Sequence, residues 1–167
     1  MKYPLLLLVL VAAACGAPAA TTGDTSPPTS AGAGSGDSIT FVMDGGCMMM
    51  GPNCPTYELM PGGEFSLRRT GGADIEATGS IDPQVARDLW DVVRSTDFDD
   101  LTASLGPGEC RACVDGIDTR MIIKSGDTEH VLDSTQVEFD QTVALFALTE
   151  EAVAAMSNAA ALEIETR

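Results

Sequence analysis

Hydrophobic and polar residues alternate in four short stretches between residues 38 and 81, which is the pattern of strands that bury one face. Ile39, Phe41 and Met43 share one side of the first stretch, and Tyr57 and Leu59 share one side of the second. The predicted strands are 38–43, 55–60, 64–70 and 73–81. Glycine-containing turns connect the later ones, so the sequence predicts an antiparallel meander.

The third and fourth stretches follow the same rule. Phe65 and Leu67 lie on one side of the third stretch, and Ile75 and Ala77 are expected on one side of the fourth. The fourth stretch has the weaker pattern, because threonine and glycine occupy its second half.

A helix is predicted after the meander. Asp82 is a good N-cap, and Pro83 suits the first helical position. An apolar stripe at helical spacing follows, made of Val85, Leu89, Val92 and Val93. We expect the helix to end near Thr96, with Phe98 and Leu101 packing back onto the core from a long loop.

The rest of the chain predicts a hairpin and a second helix. Residues 119–133 form the hairpin, turning at 125–127, and residues 136–157 form the helix. The apolar positions of that helix are Val143, Leu145, Phe146, Leu148, Ala152, Val153 and Met156. Strands that do not alternate strictly with helices predict an α+β fold, an antiparallel sheet in the order ββββ-α-ββ-α with the helices on one face.

The first fifteen residues, MKYPLLLLVLVAAAC, indicate export. Lys2 precedes an apolar run that is shorter than the roughly 20 residues of a spanning helix, which predicts a secretory signal. Residues 11–15 resemble the lipobox of bacterial lipoproteins, although Ala12 stands where leucine is usual. The resemblance implies a signal peptide over 1–14 and a lipidated Cys15 as the mature N-terminus. The alternative is ordinary secretion, with Cys15 an incidental thiol.

Residues 16–37 contain almost only Gly, Ala, Ser, Thr and Pro. Such a segment lacks the apolar residues of a core, so 15–37 is predicted to be the lipidated cysteine with a disordered linker. Gly16 is not the aspartate that often retains lipoproteins at the inner membrane of enteric-type bacteria, so an outer-membrane location is favoured. Residues 38–167 are long enough for one domain.

The charge balance excludes nucleic-acid binding. The chain has 25 acidic and 9 basic residues, a formal charge of −16. Removal of the signal peptide takes away Lys2 and leaves −17. Such a surface repels phosphate backbones and favours solubility or a basic partner.

Four cysteines remain in the predicted domain, and an even number in an exported chain predicts two disulfides. Cys47 and Cys54 flank a short loop between neighbouring strands, and Cys110 and Cys113 share a turn. Local pairing therefore needs only the predicted hairpin. Crossed pairing stays open, because it requires the two loops to meet at one end of the sheet.

The same residues suggest two alternatives of another class. Thiolates and thioethers suit copper(I), so Cys47, Met48, Met49, Met50 and Cys54 are a candidate copper site. The four cysteines are also a candidate for a zinc site or, through the Cys-x-x-Cys of Cys110 and Cys113, for thiol redox chemistry.

Enzyme signals are weak in this sequence. The only histidine, His130, lies in a strand pattern, and no Gly-x-Ser-x-Gly motif is present. Asp97, Asp99 and Asp100 lack the alternating oxygen ligands and the glycine of a calcium loop. We therefore expect no catalysis and no cofactor.

The order of these features resembles an uncharacterised domain family of secreted bacterial proteins and lipoproteins over roughly residues 38–155. The matching positions are Gly46-Cys47, Cys54-Pro55-Thr56-Tyr57, Gly62-Gly63, the helix from Pro83 and the segment 98–101. The chain has six residues between the first two cysteines, where about three are common in the family. The family has no established activity, so the resemblance implies the fold and leaves the ligand open.

The sequence as a whole predicts a bacterial lipoprotein, attached to the membrane of the cell envelope by its lipid and facing the periplasm or the cell surface. Its domain is expected to be a non-catalytic envelope or binding domain. The alternative is a soft-metal or redox protein that uses the cysteines.

Overall fold

Six strands form where the alternating pattern predicts them. The computed structural model describes residues 36–46, 54–69 and 71–165. Its strands are β1 (Ser38–Gly45), β2 (Pro55–Leu59), β3 (Glu64–Arg69), β4 (Ile75–Ser80), β5 (Ile117–Ser125) and β6 (Thr128–Asp133). They make one antiparallel sheet in the order β4-β3-β2-β1-β5-β6. The predicted α+β class with an antiparallel sheet is confirmed.

Three helices complete the described part of the chain. They are α1 (Pro83–Ser95), α2 (Phe98–Ser104) and α3 (Ala144–Glu165), with a single 3-10 turn at Ala112–Val114. The predicted signal peptide, Cys15, the linker up to residue 35 and the loop 47–53 lie outside the described residues.

One face of the sheet forms the hydrophobic core. Ile39 in β1 lies opposite Leu59 on one side and Ile123 on the other, and Phe41 lies between Tyr57 and Met121. All of these side chains are buried, and they pack with the helices in one core. Because successive side chains of a strand point to opposite faces of the sheet, every second side chain of the central strands lies under the helices.

The other face of the sheet carries charged side chains beside a few apolar ones, such as the paired Ile122 and Val131. Cross-strand ion pairs join Arg68 to Glu58 at 2.9 Å and Arg120 to Asp133 at 3.0 Å. Partly exposed pairs such as Arg68–Glu58 contribute little to stability.

Helix α1 begins at the residues that the sequence indicates. The Asp82 carboxylate accepts a hydrogen bond from the Gln84 N–H at 2.7 Å, and Pro83 is the first helical residue. The buried stripe is Ala86, Leu89, Trp90 and Val93. The predicted Leu89 and Val93 belong to it, whereas the predicted Val85 and Val92 lie at its half-buried border.

Helix α3 crosses the sheet from β5 to β4. Near its start the Thr149 hydroxyl lies 3.5 Å from the sulfur of Met121, in the core. Near its end the Glu163 carboxylate accepts a hydrogen bond from the Thr78 N–H at 2.9 Å. Helix α3 also packs against α1. One long helix therefore contacts both halves of the sheet.

The prediction that Ile75 shares a side with Ala77 is wrong. Leu67 pairs with Ala77, but its neighbour Arg68 pairs with Ile75, which marks a bulge between β3 and β4. A bulge inserts an extra residue and changes the side to which the next side chain points. Ala77 is buried as a result, whereas Ile75 is 57% exposed.

The expected long loop after α1 contains a short second helix. Asp97 caps α2, since its carboxylate accepts hydrogen bonds from the N–H groups of Asp99 and Asp100, each at 3.1 Å. Phe98 is buried, as predicted, and its ring stacks on His130 at 4.2 Å. The acidic cluster thus has a structural use as a helix cap.

The last helix begins eight residues later than predicted, at Ala144 instead of 136, and continues to Glu165 instead of 157. The segment before it pairs with a distant loop: Pro107 bridges Val137, and the Glu138 N–H donates to Gly106 O at 2.9 Å. These long-range bonds hold 136–138 extended. At the other end, an alanine-rich stretch prolongs the helix, because alanine has the highest helix propensity.

Candidate functional site

The second pair of cysteines forms a disulfide within one turn. Cys110 and Cys113 are bonded with S–S 2.00 Å and Cα atoms 5.4 Å apart, and both residues are exposed. The N–H groups of Val114 and Gly116 both donate to Arg111 O, at 3.0 and 2.7 Å. The turn is thus closed both covalently and by its backbone.

Asp118 attaches this turn to the start of β5. Its carboxylate accepts a hydrogen bond from the Arg111 N–H at 2.8 Å. Asp115 adopts the left-handed conformation, φ 62°, which reverses the chain between the disulfide and the strand. The disulfide turn is therefore fixed relative to the sheet.

The end of β1 and the disulfide turn meet at one end of the sheet. Gly46, at the end of β1, donates its N–H to Gly116 O at 2.6 Å. A Cβ atom at Gly45, where φ is +111°, would lie 2.5 Å from the Cβ of Ala112, so this approach requires glycine. Cys54 Sγ lies 3.8 Å from Gly45 O.

The pairing within the second turn leaves neither Cys110 nor Cys113 for the first loop. Cys54 is buried and disulfide-bonded, and its partner is outside the described residues. Cys47 and Met48–Met50 also lie there, so the expected partner of Cys54 and the candidate copper site remain predictions. Within the described ranges, no three His, Cys, Asp or Glu side chains are grouped as a metal ion requires.

A cleft of about 610 Å³ opens beside the disulfide turn. Its walls come from the end of β1, the loop 107–111, the start of β5, the segment 134–141 after β6 and the first turns of α3. Cavities of this size hold small organic ligands, usually with an apolar lining and a few polar groups. This cleft is the candidate functional site.

The apolar part of the cleft is built on two phenylalanines. Phe139 stacks on Phe146 with ring centroids 4.5 Å apart and planes at 16°. Phe146 belongs to the core, whereas Phe139 is only half-buried. Ile117 and Val153 extend this apolar surface, and Ile117 is 45% exposed.

The polar part of the cleft is mostly acidic. Glu109, Glu138 and Glu150 line it, together with one basic residue, Arg111. In the orientation that satisfies both polar atoms of its amide, Gln141 donates to Glu150 Oε2 at 3.0 Å. The carboxylates thus belong to three separate segments of the chain.

Backbone hydrogen bonds fix the main chain at two of these glutamates, Glu109 and Glu138. The Glu109 N–H donates to Ser134 O at 3.1 Å, and the adjacent Gly108 N–H donates to Gln136 O at 3.0 Å. A Cβ atom at Gly108 would lie 2.3 Å from Ser134 O, so the two segments approach too closely for a side chain there. Together with the Glu138–Gly106 bond, this ladder forms one wall of the cleft.

Two aspartates order the segment 134–141 through hydrogen bonds that favour their charged form. Burial opposes the charge of Asp133, but bonds from the hydroxyl and N–H of Thr135 and from Arg120 outweigh it and lower the pKa. The Thr142 N–H donates to Asp140 at 2.8 Å and lowers the pKa of that carboxyl. The segment between them is thereby held at both ends.

The hydrophobic pattern predicts Phe146 and Val153 as apolar positions of the last helix, but it does not predict the cleft that they line. Its walls depend on the pairing of 106–109 with 134–138, two segments without a regular hydrophobic pattern. The only available signal was the concentration of glycine, proline and turn-forming residues in both segments.

Comparisons of the chain with protein-family models, curated protein sequences and solved structures return no match. The resemblance to an uncharacterised lipoprotein domain family thus stays a prediction. No helix in the described residues is long and apolar enough to cross a membrane.

Replacing both Cys110 and Cys113 by serine should lower the free energy of unfolding by only about 2 kcal/mol, because the disulfide closes a very short loop. Urea unfolding of the full chain measures the loss. Val114→Ser, an exposed change in the same turn, is the control. A decrease of the unfolding free energy by more than about 4 kcal/mol would contradict the interpretation that this disulfide stabilises only its own turn.

Proposed function

We propose that the protein is a lipid-anchored lipoprotein of the bacterial envelope whose domain binds a small organic ligand without catalysis. The observation that carries the binding function is the cleft beside the disulfide turn. It combines a stacked aromatic pair, an open apolar surface and carboxylates from three chain segments. Convergence of apolar surface with a few polar groups is typical of ligand sites.

The proposed anchor is Cys15, and the outer membrane is the favoured location. A flexible linker of about 22 residues allows the domain to stand on the order of 25 Å from the bilayer. A ligand would then be bound close to the membrane, with the strongly acidic domain free in the aqueous phase.

The alternative function uses the cysteines for redox chemistry or soft-metal binding. One observation favours redox chemistry: both Cys110 and Cys113 are exposed and therefore accessible to a reaction partner. Against it, only the second cysteine of the Cys-x-x-Cys lies in the three-residue 3-10 turn, and the motif is not at the start of a long helix that would lower a thiol pKa.

Free thiols and bound metal distinguish these functions. We expect the purified full chain to show no free thiol in the domain under denaturing conditions and less than about 0.1 copper or zinc per chain, because disulfides occupy the cysteines. Thiol titration and elemental analysis measure both quantities. About one metal per chain, or two free thiols without added reductant, would favour the alternative.

Cys15→Ser should abolish lipidation and release the protein from the membrane fraction, since no other attachment is expected. Membrane fractionation with mass determination of the mature chain tests this. The matched control is Ser26→Ala in the linker, which should leave both unchanged. A Cys15→Ser chain that stays membrane-bound with an unchanged mature mass would show that the lipoprotein assignment is wrong.

A fragment screen tests the cleft. We expect compounds that bind the full chain in nanodiscs to shift the methyl resonances of Ile117 and Val153 by NMR, because those side chains line the cleft. Val153→Trp should fill the space and remove these shifts at Ile117. Ala154→Trp, on the next and exposed position of α3, is the control. Binders spread evenly over the surface, or unaffected by Val153→Trp, would contradict a binding function of the cleft.

A further inference from the structure

The cleft carries an excess of negative charge. Glu109, Glu138 and Glu150 face one guanidinium, that of Arg111. All four residues are exposed, and none of the three glutamates forms an ion pair in the part of the chain that the structure describes. The Arg111 side chain likewise has no ion pair there. Three carboxylates against one cation leave the cleft with a surplus that a bound ligand can balance.

The charge lies beside an apolar surface large enough for a flat molecule. Phe139 presents the outer ring of the stacked pair, since Phe146 behind it is 1% exposed. Phe146 and Glu150 are four residues apart on α3 and therefore share one face of the helix. The same face thus supplies both the aromatic support and a carboxylate.

The carboxylates are not arranged for a metal ion. In the described ranges, no three acidic, histidine or cysteine side chains converge on one point. Glu150 also accepts from the Gln141 amide, which leaves it fewer oxygen lone pairs for coordination. An organic cation needs no regular coordination shell, so separated carboxylates around an apolar wall suit it better.

We propose that the cleft binds a small organic cation, a protonated amine attached to a flat apolar body. The inference rests on the proposed binding function of the cleft and specifies its ligand class. The apolar body packs on Phe139, Ile117 and Val153, and the ammonium group faces the carboxylates of Glu138 and Glu150. The formal charge of −17 that is left after removal of the signal peptide adds a field over the whole surface that attracts cations and repels anions.

Three indoles of nearly equal size and different charge test this class. Tryptamine is the cation, tryptophol the neutral analogue and indole-3-propionate the anion. Each is titrated into the full chain in zwitterionic nanodiscs, with empty nanodiscs as the blank, while the Ile117 and Val153 methyl resonances are followed by NMR. Val131, exposed on β6 and outside the cleft lining, is the reference methyl group. We expect tryptamine to bind at least about tenfold more tightly than indole-3-propionate.

Charge variants separate a specific cleft from a generally acidic surface. Glu150→Gln should weaken tryptamine binding about threefold or more, whereas Glu151→Gln, the next and exposed position of α3, should change it less than about twofold. Arg111→Gln should strengthen tryptamine binding, because it removes the only cation of the wall. Both glutamate variants remove one negative charge from α3 and preserve the helix. They differ only in whether the lost carboxylate lines the cleft (Glu150) or not (Glu151).

Equal effects of Glu150→Gln and Glu151→Gln would overturn the inference, because the preference would then come from the net charge alone. Binding of the neutral or anionic indole in the cleft as tightly as tryptamine would also overturn it, while leaving the cleft as a ligand site. Failure of all three indoles to shift Ile117 and Val153 would reject this ligand class. The fragment screen would then decide separately whether the cleft binds ligands at all.

Discussion

The fold depends on β1, the strand at the middle of the sheet, which is paired along both of its edges. Its buried side chains Ile39 and Phe41 have no exposed surface, because β2 and β5 cover them laterally and the helices cover them from above. β2 follows β1 in the sequence, whereas β5 comes after both α1 and α2. The core is therefore complete only when the N-terminal meander and the C-terminal hairpin meet on this strand.

The end of β1 also determines where the candidate site lies. Gly45 and Gly46 allow the backbone to contact the disulfide turn at Ala112 and Gly116 at distances that a side chain would prevent. The first cysteine loop begins at the same point. The disulfide turn, Cys54 and the cleft consequently lie at the same end of the sheet as the end of β1.

Backbone hydrogen bonds, and not side-chain pairing, build the wall of the cleft. The ladder between 106–109 and 134–138 satisfies its own donors and acceptors, so Glu109 and Glu138 are not needed to hold it. Their carboxylates stay exposed and keep their hydration, which makes a concentration of like charge tolerable for folding. The same arrangement leaves them available to a ligand.

The strands, the start of α1 at Asp82 and Pro83, and the α+β class could be predicted from the sequence, because alternation, spacing and capping are local signals. The exposure of Ile75 could not be predicted in this way, since a bulge in the pairing of two strands has no signal within either strand. The start of α3 and the existence of the cleft were also beyond the reach of the sequence pattern. Both depend on hydrogen bonds between segments about thirty residues apart in the chain, such as the bond between Gly106 and Glu138. Whether two such segments pair depends on their positions in the folded protein, and the order of hydrophobic and polar residues along the chain does not specify those positions.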